Sequence, residues 1–158
     1  IPTSTYGINL GVKFRQVDLS VNGYGTFGSK VYNGKKAQRF SGENIEYSIA
    51  NDFYSSTNTG SVNPAPFNAV PIASDYYLES GDFFRINNIS LGYTLAKPVD
   101  YLSSFRVYVS AINPFIFQKF TGFSPELNAN GNPYGLTGVE LDAYPTLRSF
   151  VFGINLKF

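Results

Sequence analysis

Apolar and polar residues alternate along several stretches of this chain. In TYGINLGVKF, residues 5–14, every second residue from Tyr6 to Phe14 is apolar or aromatic, and the residues between them are small or polar. The same period of two recurs in VDLSVNGYGTFG, NNISLGYTL, SFRVYVSA and SFVFGINLKF. Because successive side chains of a β-strand point to opposite faces, this pattern predicts amphipathic strands rather than helices.

The pattern predicts five long strands joined by connections of alternating length. The strands cover about residues 5–15, 17–32, 82–95, 104–118 and 146–158. Arg15 and Gln16 join the first pair and AKPVDYLS joins the third strand to the fourth, whereas the connections at about 33–81 and 119–145 are long. Short turns therefore lie at one end of the sheet and long loops at the other. Within the first long loop, SGENIEYSIAND predicts a short helix near residues 42–52.

Each predicted strand is long enough to cross the hydrocarbon layer of a bilayer at a tilt of about 45°. The predicted fold class is therefore all-β, an antiparallel transmembrane β-barrel, and the alternative is a soluble antiparallel sandwich or barrel whose inward residues alternate in the same way. In the barrel interpretation one set of side chains faces lipid, namely Ile8, Leu10, Val12, Ile89, Leu91, Val107, Val109, Phe152, Ile154 and Leu156. The opposite set faces the lumen, namely Asn9, Asn88, Ser90, Tyr108, Ser110 and Asn155.

Five strands are too few to close such a barrel. Bacterial outer-membrane barrels have an even number of at least about eight strands, and an open edge in lipid leaves backbone groups unpaired. We therefore expect residues 1–158 to form one part of a larger barrel, and the start at Ile1 without a methionine favours this interpretation. With the short turns on the periplasmic side, the long loops 33–81 and 119–145 are extracellular.

Composition narrows the chemistry that this segment can perform. The chain has no cysteine and no histidine, which excludes disulfides, thiolate metal sites and histidine-based catalytic triads from it. The formal net charge is +1 and the longest basic run is Lys35–Lys36, so no basic surface for nucleic acid is predicted. We expect no catalytic residue, no cofactor, no metal and no nucleic-acid partner.

The second long loop contains the candidate contacts with a substrate or partner. Tyr134 and Tyr144 can stack on a sugar ring or a peptide, although tyrosines are also common at membrane interfaces. Glu140 and Asp142 complete the set of candidates. Together with Glu126 these carboxylates offer oxygens that suit Ca²⁺, but solvated loop carboxylates are more common.

Three arginines lie at or near predicted strand ends, and each admits two interpretations. Arg85, Arg106 and Arg148 can bind a ligand or a carboxylate of a plug inside the barrel. Arginines in such places more often line the lumen or meet lipid head groups. We therefore interpret all three as structural residues.

Short motifs in the second half of the chain resemble a known family. Residues 82–93 read DFFRINNISLGY and are followed by RVY at 106–108, NPF at 113–115, GFSPE at 122–126 and YPTLR at 144–148. In order and spacing these resemble the C-terminal barrel segment of SusC-type (SusC/RagA-like) TonB-dependent outer-membrane transporters, over about residues 80–158. Two residues depart from the pattern: Ser124 stands where aspartate is common, and Pro114 where leucine is common. Because proline cannot donate to a β-ladder, Pro114 predicts a frayed or bulged strand.

The resemblance implies a plugged barrel of about 22 strands, of which this chain supplies about the last five. It also implies active import of oligosaccharides or peptides across the outer membrane of a Gram-negative cell. The implied partners are the remainder of the barrel with its plug, a SusD-like surface lipoprotein, TonB acting through the plug, and outer-membrane lipid. Two alternatives remain at this point: a secreted carbohydrate-binding or adhesive β-domain, and an outer-membrane enzyme with its catalytic groups elsewhere.

The final residues resemble the signal by which outer-membrane barrels are recognised for assembly. In such a signal, alternate residues of the last strand are apolar and the final residue is aromatic. The residues that fit this description are Phe150, Phe152, Ile154, Leu156 and Phe158. We expect Phe158 to lie at the periplasmic interface, where aromatic rings are common.

Overall fold

The computed structural model describes residues 2–39, 44, 47–65, 73–126, 138–140 and 145–158. Five long strands form one antiparallel sheet in the order β1-β2-β5-β6-β8. These strands are β1 (Ser4–Phe14), β2 (Val17–Phe27), β5 (Phe83–Val99), β6 (Leu102–Gln118) and β8 (Ser149–Lys157). The predicted class, an all-β antiparallel sheet, is confirmed.

The register of the sheet separates an apolar face from a polar face. Directly paired residues share a face, and one row runs through Val12, Leu19, Leu91, Val109 and Phe152 across all five strands. The next row towards the long loops runs through Gly11, Ser20, Ser90, Ser110 and Val151 on the opposite face. The residues predicted to face lipid share the first face, and those predicted to face the lumen share the second.

The second strand ends earlier than the pattern predicts. The alternation predicts a strand that reaches residue 32, but β2 stops at Phe27, where Gly28 adopts a positive φ of 80°. The carboxylate of Asp82 fixes this turn, since its Oδ1 accepts hydrogen bonds from the amides of Gly28 at 2.7 Å and Ser29 at 3.3 Å. The chain then leaves the large sheet and enters a smaller one.

The smaller sheet joins the two long loops. It contains β3 (Lys30–Asn33), β4 (Leu78–Ser80) and β7 (Val139–Glu140) in the order β4-β3-β7, with β3 and β4 antiparallel and β3 and β7 parallel. The pairing joins residues about 50 and about 110 positions apart, and no local pattern in the sequence predicts it.

The predicted irregularity at Pro114 is confirmed as a bulge. β6 places two residues, Asn113 and Pro114, opposite the single Asn87 of β5. Asn113 has a positive φ of 51°, and its side-chain amide donates to the backbone oxygen of Leu147 at 3.3 Å. Proline has no N–H to donate to the ladder. The bulge leaves Pro114 unpaired, and the pairing resumes at Phe115, opposite Ile86.

Short helices pack a small core within the first long loop. They are α1 (Gly34–Arg39), α2 (Tyr47–Ala50) and a 3₁₀ turn, Asp75–Tyr77. The core contains Ala37, Ile49 and Tyr77, with Tyr32 and Tyr76 packed against it. The helix predicted near 42–52 is thus observed as α2, and the rest of that stretch lies partly outside the described residues. Among the described helices, none has the length and apolar character needed to span a membrane.

Candidate functional site

Polar side chains converge at the end of the large sheet that carries the long loops, called here the loop end. Arg85, near the start of β5, is only 4% exposed. Its Nε donates to Oε2 of Glu126 at 2.7 Å, its Nη2 also pairs with that carboxylate, and Nη2 lies 3.3 Å from Oγ of Ser124. A guanidinium of the strand therefore holds the loop that follows β6.

Two further hydroxyl groups complete this contact. Tyr24 of β2 is the register partner of Arg85, and its hydroxyl donates to Oε1 of Glu126. Ser124, 2% exposed, donates its hydroxyl to Oε2 of Glu126 at 2.9 Å. Strands β2 and β5 are thus both tied to the loop. We call Tyr24, Arg85, Ser124 and Glu126 the wall clamp.

The wall clamp keeps Glu126 ionised. Burial raises the pKa of Glu126, but the hydrogen bonds from Arg85, Tyr24 and Ser124 together outweigh burial, so that the pKa lies below its ordinary value of 4.5. All these contacts favour the charged carboxylate. Near neutral pH, Glu126 is therefore a carboxylate anion that accepts hydrogen bonds from three residues.

A second carboxylate joins one long loop to the other. Glu79 of β4 accepts hydrogen bonds from the amide of Thr121 at 2.7 Å and from its hydroxyl at 2.8 Å. Asn33 of β3 donates its side-chain amide to Oε1 of Glu79 at 3.1 Å, and Nζ of Lys36 lies 3.9 Å away. We call Asn33, Lys36, Glu79 and Thr121 the loop clasp.

Aromatic residues of the first long loop form a partly buried layer beside the loop clasp. The hydroxyl of Tyr76 donates to Oδ1 of Asn63 at 2.6 Å, and Nζ of Lys36 lies 3.8 Å from the centroid of the Tyr76 ring. Burial, with the nearby charges as lesser causes, raises the pKa of Tyr76 to about 12. Tyr76 is thus a neutral hydrogen-bond donor near neutral pH.

An ion pair crosses the polar face farther from the loops. Nε of Arg106 on β6 donates to Oδ1 of Asp18 on β2 at 3.0 Å, and its Nη2 donates to Oδ2 at 2.5 Å. The intervening strand β5 carries Gly92 at this level, and a Cβ there would collide with both side chains. A glycine is required so that the pair can reach across β5.

The carboxylates on the polar side of the sheet and at the loop end join strands to one another and to the loops. The carboxylates of Asp18, Glu79 and Glu126 are each engaged by a cation or several N–H and O–H donors. In the part of the chain that the structure describes, no group of three or more Asp and Glu residues is placed to hold a metal ion. Arg85 and Arg106 each pair with a carboxylate of this chain, Glu126 and Asp18 respectively.

The structure describes one of the four loop residues that are predicted to contact a substrate or partner. Glu140 lies on β7, pairs in parallel register with Asn33, and has a fully buried side chain. Tyr134, Asp142 and Tyr144 lie outside the described residues. Contact of these four residues with a substrate or partner stays a prediction.

The proposed assembly residues are on one face of the last strand. Phe150, Phe152, Ile154 and Leu156 share the exposed apolar face of β8, and Phe158 follows the strand directly. Their recognition by an assembly machine stays a prediction.

Sequence reasoning missed the partners in both loop contacts. Arg85 and Glu126 were considered separately, and no pattern linked residues that are 41 positions apart. One local signal was available: an asparagine just before a helical stretch caps it, and Oδ1 of Asn33 accepts the amide of Lys36 at 2.8 Å at the start of α1. The residues missed in this way are Tyr24, Asn33, Glu79, Thr121 and Ser124.

The chain is similar in sequence to TonB-dependent receptors. TonB-dependent receptor P3 of Formosa agariphila is 28% identical over 99% of this chain and 16% of its own length. TonB-dependent receptor SusC of Bacteroides thetaiotaomicron is 32% identical over 70% of this chain and 11% of its own length. This chain is a relative of the SusC-type TonB-dependent receptors. No protein-family model matches it.

Solved structures support the fold of this SusC-type segment. The RagAB peptide importer in its closed-closed state superposes with a TM-score of 0.80 at 23% identity, covering 100% of this chain and 17% of that chain. The open-open state gives a TM-score of 0.78 at the same identity and coverage. The segment therefore has the fold of a part of that importer, and its matches cover between 11% and 17% of the length of these proteins.

Proposed function

We propose that this segment is part of the wall of an outer-membrane, TonB-dependent active importer of oligosaccharides or peptides. The observation that carries the proposal is the continuous apolar face of the five-stranded sheet. Its residues are widely exposed, with Leu10 at 60%, Ile154 at 64% and Phe152 at 80%. A soluble protein rarely exposes an apolar surface of this extent, whereas a barrel wall presents one to lipid.

The similarity to SusC and to the RagAB importer supports the same proposal. Both comparisons cover most or all of the chain, and the relatives are described as receptors or importers. The proposed partners are the remaining barrel strands, a plug that contacts TonB, and a SusD-like surface lipoprotein. The polar face, with Asn9, Asn88 and Ser110, then lines the lumen. The proposed role is transport, not enzymatic catalysis.

The two long loops are proposed to face the extracellular side. The wall clamp and the loop clasp fold parts of both loops into one layer at the loop end. A folded layer presents a defined surface to a partner, which costs less conformational entropy than ordering a free loop on binding.

Cell fractionation and uptake together test the proposed function. In the bacterium that makes this protein, we expect it in the outer-membrane fraction, to require detergent for extraction, and to copurify with a surface lipoprotein. Deletion of its gene should slow uptake of one class of labelled substrate, oligosaccharide or peptide, and dissipating the proton-motive force should have the same effect. Recovery from the culture medium without detergent would instead support a secreted carbohydrate-binding or adhesive domain.

A further inference from the structure

A shallow groove crosses the apolar face near the end of the sheet that carries the short turns, called here the turn end. It has a volume of about 410 Å³. In one of the paired rows that it crosses, the shorter Val17 and Val107 flank the larger Tyr93. The side chains that line it on the apolar face belong to four strands and are Val17, Leu91, Tyr93, Val107, Val109 and Phe152.

A cation lies beside this groove. Phe14 is the register partner of Val17 and shares its face. Arg15, in the tight turn with φ 54°, places its guanidinium carbon 5.4 Å from the centroid of the Phe14 ring. The guanidinium therefore lies against the apolar face at the turn end of the groove, and it forms no ion pair with any described residue.

A second cation extends from the same region. Lys97 is exposed, four residues beyond Tyr93 on β5, and adopts a positive φ of 45° where the β5–β6 hairpin becomes irregular. Like Arg15, it forms no ion pair with the residues that the structure describes. The backbone oxygen of Gln16 accepts the amide of Thr94 at 2.7 Å, which joins the two hairpins at this level. Two cations thus lie on neighbouring hairpins at the turn end of the sheet, Arg15 against the apolar face and Lys97 on the hairpin that extends beyond it.

We propose that the groove, with Arg15 and Lys97, binds an anionic glycerophospholipid. One acyl chain occupies the groove, and the lipid phosphate lies between the guanidinium and the ammonium group. Charge complementarity selects this occupant, because an apolar peptide or a detergent tail would leave both cations without a counter-ion. The inference rests on the proposed function, since it requires the apolar face to lie in a membrane, with the turn end at the periplasmic leaflet.

Native mass spectrometry of the intact receptor in detergent tests this site. The protein is titrated with phosphatidylglycerol and, separately, with the zwitterionic phosphatidylethanolamine. We expect tighter binding of phosphatidylglycerol, and about a fivefold loss of its affinity in Arg15→Gln, the effect of one basic residue at a membrane surface. Val107→Trp fills the groove with another apolar side chain and should weaken binding of both lipids. Lys119→Gln, an exposed cation beyond β6 at the loop end, is the matched control and should change neither affinity.

Two results would overturn the lipid site. Equal affinity for the two lipids would show that Arg15 only reaches towards head groups in general. Equal phosphatidylglycerol binding by Arg15→Gln, Val107→Trp and the unchanged receptor would place the lipid elsewhere. Fractionation and uptake of the same variants keep this test separate from the proposed function. A receptor that resides in the outer membrane and imports substrate without selecting phosphatidylglycerol disproves the lipid site alone.

Discussion

At the scale of single residues, Glu126 shows how one carboxylate can fix a loop. Arg85 from β5, Tyr24 from β2 and Ser124 from the loop itself all donate to it. Removing the charge leaves the guanidinium of Arg85, which is 4% exposed, without its counter-ion. A buried charge that loses its partner is strongly destabilising, and a hydrogen bond to a charged group is also worth more than a neutral one.

We predict that Glu126→Gln weakens the attachment of the loop by about 2 kcal/mol, the typical contribution of a charge-assisted hydrogen bond. The measurement is hydrogen exchange of the backbone amides of Thr121 and Glu126 in the intact receptor. We expect both amides to exchange faster in the variant. Asp18→Asn is the matched control, because it breaks the other carboxylate–guanidinium pair at a distance from the loops. Equal acceleration at Thr121 in both variants would argue against a local clamp.

The pH dependence of the clamp follows from the lowered pKa of Glu126. Because the pKa of the folded carboxyl lies below the ordinary value of 4.5, the stabilisation is fully present above that value and is lost as pH falls through the folded pKa. We predict that the amide of Glu126, which donates to Oγ of Ser124 within the wall clamp, stays protected from exchange at pH 5 and loses protection only at a pH below 4.5. Exchange rates are corrected for the intrinsic effect of pH on the amide. In Glu126→Gln the same transition should be absent, and its persistence there would assign it to another group.

At the scale of elements, the sequence predicts strands better than it predicts loops. The large sheet is predictable because one face of each strand is apolar and the other is polar, so every second residue carries the signal. The bulge at Pro114 is predictable because proline lacks a donor. The small sheet and the loop clasp are not predictable in this way, because Asn33, Glu79 and Thr121 meet through long-range pairing. The same reason explains why the sequence singles out Arg85 and Glu126 but does not predict their contact.

Two neighbouring residues on β1 provide a matched test of the face assignment. Leu10 belongs to the apolar face and Asn9 to the polar face, and both are exposed near the middle of the strand. We predict that Leu10→Arg destabilises the receptor by about 2–4 kcal/mol, the cost of a basic residue facing lipid at the midplane, and that Asn9→Arg costs far less. Urea-induced unfolding in lipid vesicles measures both. Similar losses for the two variants would contradict the assignment of Leu10 to lipid.

At the scale of the whole molecule, the sheet has two edges in the described part of the chain. Among the described strands, β1 pairs with β2 alone and β8 with β6 alone. Alternate backbone groups of each edge strand therefore point away from their described neighbour. In the hydrocarbon of a bilayer each unsatisfied group costs several kcal/mol, so an open sheet cannot remain there. If this sheet lies in a membrane, further strands must therefore pair with both of its edges. The proposal of a membrane location includes the proposal of these strands.

This reasoning gives a prediction that the intact receptor can test strand by strand. If further strands pair with both edges, every amide in the middle of β1 and β8 is hydrogen-bonded, whichever way it points. We predict that alternate amides in β1 and β8 exchange as slowly as those in the central strand β5, which has a neighbour on each side. Hydrogen exchange of the receptor in detergent or nanodiscs, resolved to single residues, provides the comparison. Residues 146–148, which precede β8 and belong to no described strand, serve as the fast-exchanging reference. If the outward amides of β1 exchange as fast as that reference, this edge is open, the sheet does not continue into a barrel wall, and a sheet outside the membrane becomes the better account of the fold.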